Sequence, residues 1–261
     1  MNSVKPKKNL GQHFLADQNI ARKIVSSFES TNISTVLEIG PGMGVLTKHL
    51  LEDKRLSTHV IEIDKESVDY LKLNYPELVN NIIEKNFLKI QLKDYFNEPI
   101  NIIGNLPYNI SSQIFFRIIE QRNMVIETIC MIQKEVADRI VSPPGNKDYG
   151  ILSVFLQCFF TITRLFNVKP NVFIPPPKVD STVLRLVRND RNNLECDEEL
   201  FFKVVKATFN QRRKTIRNSL KSIFLTLPGE NPYFSKRPEQ LGVEDFIELT
   251  RELQPYYILK G

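Results

Sequence analysis

The stretch TVLEIGPGMGVLTKHLLE, residues 35 to 52, decides the fold. VLEI (36 to 39) is a short apolar run of strand length, and Leu46, Leu50 and Leu51 fall on one stripe of a following helix. Between them lie glycines at 40, 42 and 44, which let a backbone pass close to a ligand and take angles other residues resist. Strand, glycine-rich turn and helix form the opening unit of a nucleotide-binding α/β fold.

The turn also carries chemical information. Its G-x-G-x-G spacing is weaker evidence for a dinucleotide than G-x-G-x-x-G. Glu38 beside it would repel a pyrophosphate and suits a cationic or amine-bearing ligand. S-adenosylmethionine has an ammonium and a sulfonium and no phosphate, so it fits. The same residues also read as a tight turn without a ligand.

Working outward, THVIEIDKESVDYLKLNY repeats the plan, with a strand over residues 59 to 63 and a helix carrying Val68 and Leu71. Glu62 at the end of that strand can accept both hydroxyls of a ribose. Asp64 reads as the cap of the next helix. NIIEKNFLKI (81 to 90) predicts a third strand, followed by Asn86 either near the cofactor's adenine or as a turn residue. PINIIGNLPYNIS predicts a fourth. VIETICMIQKEVADRI begins as a strand and continues as a helix, and ILSVFLQCFFTITRLFNV gives a helix and then a strand. Prolines 175 to 177 impose a stiff extended loop before the alternating strand STVLRLVR. Upstream, Asp17 to Phe28 has helical spacing. The prediction is a doubly wound α/β domain over residues 1–190 and a small helical domain over 191–261.

The loop after the fourth strand is the candidate chemical site. Asn105, the Pro107 carbonyl and Tyr108 fall together at the carboxyl end of the sheet, where such folds bind ligands. Two oxygens accepting the two N–H bonds of an exocyclic amine would position the nitrogen and free its lone pair. Tyr108 can stack on a flipped base. A Pro-Tyr turn without function is the plainer reading of the same residues.

Charge and composition bound the partners. The 261 residues carry a net charge of +5, a mild bias towards anionic partners, and are 42% hydrophobic, as in a globular protein. Seven cations between Lys203 and Lys221 meet no acidic residue: Lys203, Lys206, Arg212, Arg213, Lys214, Arg217 and Lys221. At helical spacing they oppose an apolar side of Phe202, Val205, Phe209, Ile216 and Leu220. That face suits phosphate contacts, or solvent. Lys5, Lys7 and Lys8 form a basic arm that could join the same field. Cys130, Cys158 and Cys196 are scattered, so neither a disulfide framework nor a metal site is predicted. No signal-like or membrane-length apolar run is present, which makes the cytoplasm the default location.

Taken together, NLGQHFL (9 to 15), EIGPGMG (38 to 44), VIEID (60 to 64), NLPYNIS (105 to 111), QKEVADRI (133 to 140), FIPPPKVDS (173 to 181) and FNQRRKTIRNSL (209 to 220) carry a resemblance. The chain resembles the bacterial 16S rRNA adenine N6,N6-dimethyltransferase family (KsgA/RsmA) over essentially its whole length. The resemblance implies S-adenosylmethionine as cofactor, bordered by Gln12, Glu38, Gly40 and Gly42, with Glu62 on the ribose. It further implies Asn105, Pro107 and Tyr108 on the target adenine, and Phe173 packing on the base's other face. The implied activity is transfer of four methyls to two adjacent adenosines of the 3'-terminal hairpin of 16S rRNA. The implied partner is a 30S subunit precursor, docked through the segment around Arg212 to Arg217, and nothing in the sequence demands an oligomer. Two positions depart from the pattern: Asn86 stands where Asp is common, and His13 stands where Asn is common. Competing readings are the resistance methylase acting on 23S rRNA and an assembly factor whose binding outweighs its chemistry. A dinucleotide oxidoreductase is opposed by Glu38 and the missing G-x-G-x-x-G.

Overall fold

The structure, a computed structural model, describes residues 4–7, 10–29, 34–191 and 193–257. In chain order its elements are β1 (Phe14–Leu15), α1 (Gln18–Val25), β2 (Thr35–Ile39), α2 (Val45–Glu52), β3 (Ser57–Ile61), α3 (Lys65–Asn74), β4 (Ile82–Ile83), β5 (Ile100–Asn105) and α4 (Ser111–Glu120). They continue as β6 (Val125–Gln133), α5 (Lys134–Val141), α6 (Ile151–Phe159), β7 (Phe160–Val168), β8 (Phe173–Ile174), β9 (Ser181–Arg188), α7 (Glu198–Asn210), α8 (Ile216–Leu220) and α9 (Val243–Leu253).

Seven strands form one sheet in the order β4-β3-β2-β5-β6-β9-β7. The strands from β2 to β6 pair in parallel, and β9 runs antiparallel to β6. Strand order reverses between β2 and β5, so the crevice at their carboxyl ends is the ligand position of this topology. The central strands are largely apolar because helices cover both faces, with a few buried polar side chains such as Glu38 and Asn101. Val36, Leu37, Ile102, Ile103 and Ile129 are fully buried. Gly104 in β5 has a packing reason: a Cβ there would lie 2.7 Å from the Ile39 carbonyl oxygen. This is a Rossmann-like α/β sheet followed by a helical C-terminal region.

Two expected strands have other bounds in the structure, one shorter and one shifted by two residues. Of residues 81 to 90 only Ile82–Ile83 pair with β3; Asn86 then caps a single helical turn through its Oδ1, 2.9 Å from the Leu88 N–H. Strand β3 ends at Ile61, which releases Glu62 and Ile63 into the crevice.

The chain divides into two compact units that interleave in sequence, Met1–Ala137 with Thr161–Arg188, and Asp138–Phe160 with Asn189–Gly261. The break after Arg188 lies close to the expected boundary, but residues 138 to 160 cluster with the second unit, unlike the expected 1–190 and 191–261. The reason is apolar packing: α6 is buried against α7, where Phe155 meets Phe201 and Phe202 at ring distances of 5.9 and 4.6 Å. Within this second unit the basic segment is also not one helix. It stops at Asn210 and resumes at Ile216, because the Ile216 and Arg217 N–H groups bond the Lys236 and Phe234 carbonyls at 2.8 and 3.2 Å instead of the preceding turn. Among the described residues no helix is long and apolar enough to cross a membrane.

Candidate functional site

A cavity of about 810 Å³ of open space lies in the first unit at the carboxyl ends of β2, β3, β4 and β5. Gly40, Gly42, Glu62, Asn86, Asn105, Pro107 and Tyr108 line it, together with Gln12 and His13 from the segment preceding β1. Segments far apart in sequence, from Gln12 to Tyr108, thus meet at one cavity, most of them through the parallel topology of the large sheet.

The glycine turn is shaped by its neighbours. Gly42 has φ +55°, and a Cβ there would sit 2.6 Å from the Phe14 ring. Its smallness therefore admits the segment that roofs the cavity. Gly44 at φ +77° opens α2. Glu38 is not a cavity-lining group. It is 2% exposed beneath the turn, where Thr47 Oγ1 donates to Oε2 at 2.5 Å. Burial pushes its carboxyl from the ordinary 4.5 up to about 8; the Thr47 bond opposes this, and Glu62 adds a further upward push.

Glu62 does line the cavity and joins two turns. It accepts the Gly42 N–H at 3.3 Å on one oxygen, and the Ile63 and Asp64 N–H groups at 2.8 and 2.9 Å on the other. Burial raises its pKa against those bonds. A carboxylate has about four acceptor positions, so it retains capacity for ribose hydroxyls. Asp64 caps α3, accepting from the Glu66 N–H and Ser67 Oγ. Burial would raise its pKa, but hydrogen bonds from Lys7, Ser67 and Gln12 hold it below the usual range.

Lys7 accounts for that shift and corrects one expectation. Its ammonium lies 2.5 Å from Asp64 Oδ1 and 3.0 Å from Glu66, so it is an intramolecular partner and not a free cation for phosphate. Its backbone N–H bonds Gln12 Oε1 at 2.8 Å, fixing the glutamine at the cavity wall. Lys5 is exposed, and Lys8 lies outside the described residues.

Asn105 is oriented by a single bond. Its Nδ2 lies 2.8 Å from the His13 carbonyl oxygen, which can only accept, so Oδ1 is the free end of the amide. The Pro107 carbonyl accepts the Ile110 N–H at 3.2 Å and keeps its second lone pair. Tyr108 is held by Ser181 Oγ at 2.5 Å and stacks on the His13 ring, with centroids 5.4 Å apart. Burial raises its pKa.

Phe173 is elsewhere. It pairs with Leu15 in the small β1–β8 sheet, is 2% exposed, and packs with Leu15, Val168 and Val183 in the core. Alternation in a two-residue strand turns Phe173 inwards and leaves Ile174 62% exposed. It is not among the cavity-lining residues, contrary to its expected place on the base.

In the second unit the cations divide. Arg213, Lys214 and Lys221 are exposed. Arg212 bonds the Asn146 carbonyl and approaches Glu239 at 3.6 Å. Arg217 donates to the Pro228 and Gly229 carbonyls and covers the Phe234 ring. Lys203 pairs with Glu199. The sequence reading did not assign the site roles of His13, Lys85 and Ser181. Proximity of NLGQHF and PPPKVDS to NLPY, visible only after folding, is the signal that finds them.

The donor set fits S-adenosylmethionine: Glu62 for a ribose, Asn86 and the apolar Ile63, Phe87 and Leu88 for a flat base, and Gln12 beside the glycine turn. Fold and cavity together define a class I, S-adenosylmethionine-dependent methyltransferase. The chain matches the ribosomal RNA adenine dimethylase family over residues 3–254, and it belongs to that family. It is 54% identical over 256 residues to a ribosomal RNA small subunit methyltransferase A from Flavobacterium johnsoniae, covering 97% of this chain and 98% of that one. The protein of the same description from Porphyromonas gingivalis is 53% identical, covering 97% of this chain and all of that one. Among solved structures, a dimethyladenosine transferase from Plasmodium falciparum superposes with a TM-score of 0.76 at 26% identity, covering 94% and 98% of the two chains. The 23S rRNA methyltransferase ErmE gives 0.64 at 25% identity, covering 91% and 99%. The protein is therefore an S-adenosylmethionine-dependent rRNA adenine methyltransferase.

Two outcomes follow from this geometry. A carboxyl with a raised folded-state pKa stabilises most below its ordinary range and loses that contribution as pH rises through the folded value. Denaturant unfolding of the wild type should thus weaken, through Glu38, between about pH 4.5 and 8. Glu38→Gln, which keeps an oxygen for Thr47, should flatten that decline; equal slopes in both proteins would contradict the assignment. Asn86 spends its one amide oxygen on the Leu88 cap, whereas Asp would offer a second, charged acceptor to an adenine amine. Calorimetric titration of Asn86→Asp should show cofactor binding tighter by about 1 kcal/mol, roughly fivefold; unchanged or weaker binding would reject the role.

Proposed function

We propose that this protein transfers four methyl groups to two adjacent adenosines in the 3'-terminal hairpin of 16S rRNA, acting as a cytoplasmic monomer on a 30S subunit precursor. The observation that carries the reading is that Asn105, Pro107 and Tyr108 share one cavity with the nucleoside-binding turns at Gly42 and Glu62. The small-subunit descriptions of relatives at 50 to 54% identity support the small subunit as target over the large one.

Bound S-adenosylmethionine supplies an electrophilic methyl on a sulfonium. The residues of this chain do the rest by position. Asn105 Oδ1 and the Pro107 carbonyl accept the two N–H bonds of the adenine amine, which aims its lone pair and keeps it out of the purine ring. Tyr108, clamped by Ser181, offers its ring to the flipped base. Glu62 takes the ribose hydroxyls, Gln12 and the backbone at Gly40 and Gly42 border the amino-acid end, and Asn86 meets the cofactor's adenine. Glu38 acts from beneath, through Thr47 and the turn. Alignment and preorganised acceptors supply the rate. For the second transfer one N–H remains, so one of the two acceptors suffices.

The second unit serves as the docking region. Arg213, Lys214 and Lys221 are exposed cations suited to phosphate, while Arg212 and Arg217 chiefly build the turn that presents them; Lys5 is likewise exposed. A lone helix face would give non-specific salt-dependent binding; a shaped turn suits a folded particle.

The test is transfer of labelled methyl to undermethylated 30S particles with the nucleosides resolved by mass. N6,N6-dimethyladenosine at two adjacent 3'-hairpin positions is the expected result. Activity confined to 23S rRNA would move the assignment to the large subunit. Particle binding with no transfer to either would favour an assembly factor.

A further inference from the structure

The glycine turn is held from a side that the cavity does not reach. Tyr75 closes α3: its N–H bonds the Leu71 carbonyl at 2.8 Å, and Pro76 after it prevents the helix from continuing. Its side chain packs against the buried cluster of Val60, Leu71 and Leu78, and it is not among the cavity-lining residues. From there the hydroxyl donates to the Gly44 carbonyl at 3.1 Å. The ring edge lies against the glycine itself, since a Cβ on Gly44 would sit 2.5 Å from Tyr75 Cε2.

Gly44 needs such a hold. It is the residue from which α2 starts, its φ of +77° favours glycine, and having no side chain it makes no side-chain cap bond. Its N–H closes the turn on the Pro41 carbonyl at 2.8 Å, and its carbonyl accepts the Lys48 N–H at 2.9 Å. A peptide oxygen has two lone pairs, and the Tyr75 hydroxyl takes the second. Gly44 is thus fixed at both its N–H and its carbonyl. Burial raises the Tyr75 pKa, with Tyr70, Glu38 and Glu77 adding to the shift, so the hydroxyl stays a donor. The same helix serves the other turn as well, because the N–H of its cap residue, Asp64, bonds Glu62. Helix α3 therefore reaches both nucleoside-binding turns from outside the cavity, one through each end.

We propose that Tyr75 is a positioning residue for the cofactor: by holding the Gly44 carbonyl it keeps the glycine turn in the shape that receives the amino-acid end of S-adenosylmethionine. Its effect is local to that end. The ribose side is set by Glu62, which the Ile63 and Asp64 N–H groups hold independently, and the base side by Asn86, which caps its own turn. The proposal rests on the placement of the amino-acid end beside Gly40 and Gly42 given above.

The experiment is calorimetric titration of wild type and Tyr75→Phe with two ligands: S-adenosylhomocysteine, which carries the amino-acid end, and 5'-methylthioadenosine, which lacks it. Phenylalanine keeps the ring against Gly44 and the apolar cluster and removes only the hydroxyl. S-adenosylhomocysteine should bind the variant about fivefold more weakly, the scale of one hydrogen bond, whereas 5'-methylthioadenosine should bind both proteins alike within about twofold. A hydroxyl that merely stabilised the fold would shift the denaturation midpoint without separating the two ligands. Unchanged affinity of the variant for S-adenosylhomocysteine, or an equal loss for both ligands, would overturn the proposal. A wild type that binds the two ligands equally would instead refute the placement of the amino-acid end, and the proposal with it.

Discussion

The site depends on one hydrogen bond, 2.8 Å long, from Asn105 Nδ2 to the His13 carbonyl. An isolated asparagine amide turns over freely and offers a donor as readily as an acceptor. Tying its NH2 to a main-chain oxygen leaves Oδ1 as the end available to a base. That bond also couples two distant segments, the end of β5 and the residue just before β1, the strand that runs antiparallel to β8. The pairing of Phe14 with Ile174 and Leu15 with Phe173 holds the carbonyl where the amide needs it. Preorganisation of this kind lets neutral groups select an amine without a charged base at the reacting nitrogen.

Carboxylates organise the other half of the cavity by the opposite strategy. Glu38, Glu62 and Asp64 are all buried, yet each is treated differently. Glu38 has the Thr47 hydroxyl against a large desolvation and favours its neutral form. Glu62 gathers three backbone N–H groups and remains open to the cavity. Asp64 has the Lys7 ammonium and stays anionic. The gradient runs from a neutral support under the glycine turn to a fully charged latch at the edge, with the ribose-facing group between them. Lys7 thereby fastens the roofing segment to the helix α3 cap, and the electrostatics of the turns become part of the closure of the site.

Much of this was legible in the sequence. Strands β2 and β5 announce themselves as largely apolar runs, because a parallel sheet covered on both faces tolerates few polar side chains. The positions of Glu62 and Asn105 follow from the ends of β3 and β5, and Asp64 follows from its capping pattern. What escaped notice is non-local. Phe173 next to a triple proline looks like a surface aromatic until β1, more than a hundred residues earlier, pairs with it and turns it inwards. Lys7 looks like part of a basic arm until Asp64 and Glu66 claim it. The helical period from Phe202 to Leu220 conceals a break, because the Lys236 and Phe234 carbonyls that interrupt it come from a later segment. Glu38 looks like a charged cofactor contact in the sequence, and its burial under the turn changes what that charge can do.

The central claim is that the His13 carbonyl decides how Asn105 presents itself. Asn105→Asp tests it most directly, since aspartate keeps the size and an acceptor but has no hydrogen to give that carbonyl. Single-turnover methyl transfer at saturating cofactor should fall by about a hundredfold or more, the scale at which one preorganised group is lost, while calorimetry shows the cofactor still bound. A variant that transfers at the wild-type rate would contradict the account.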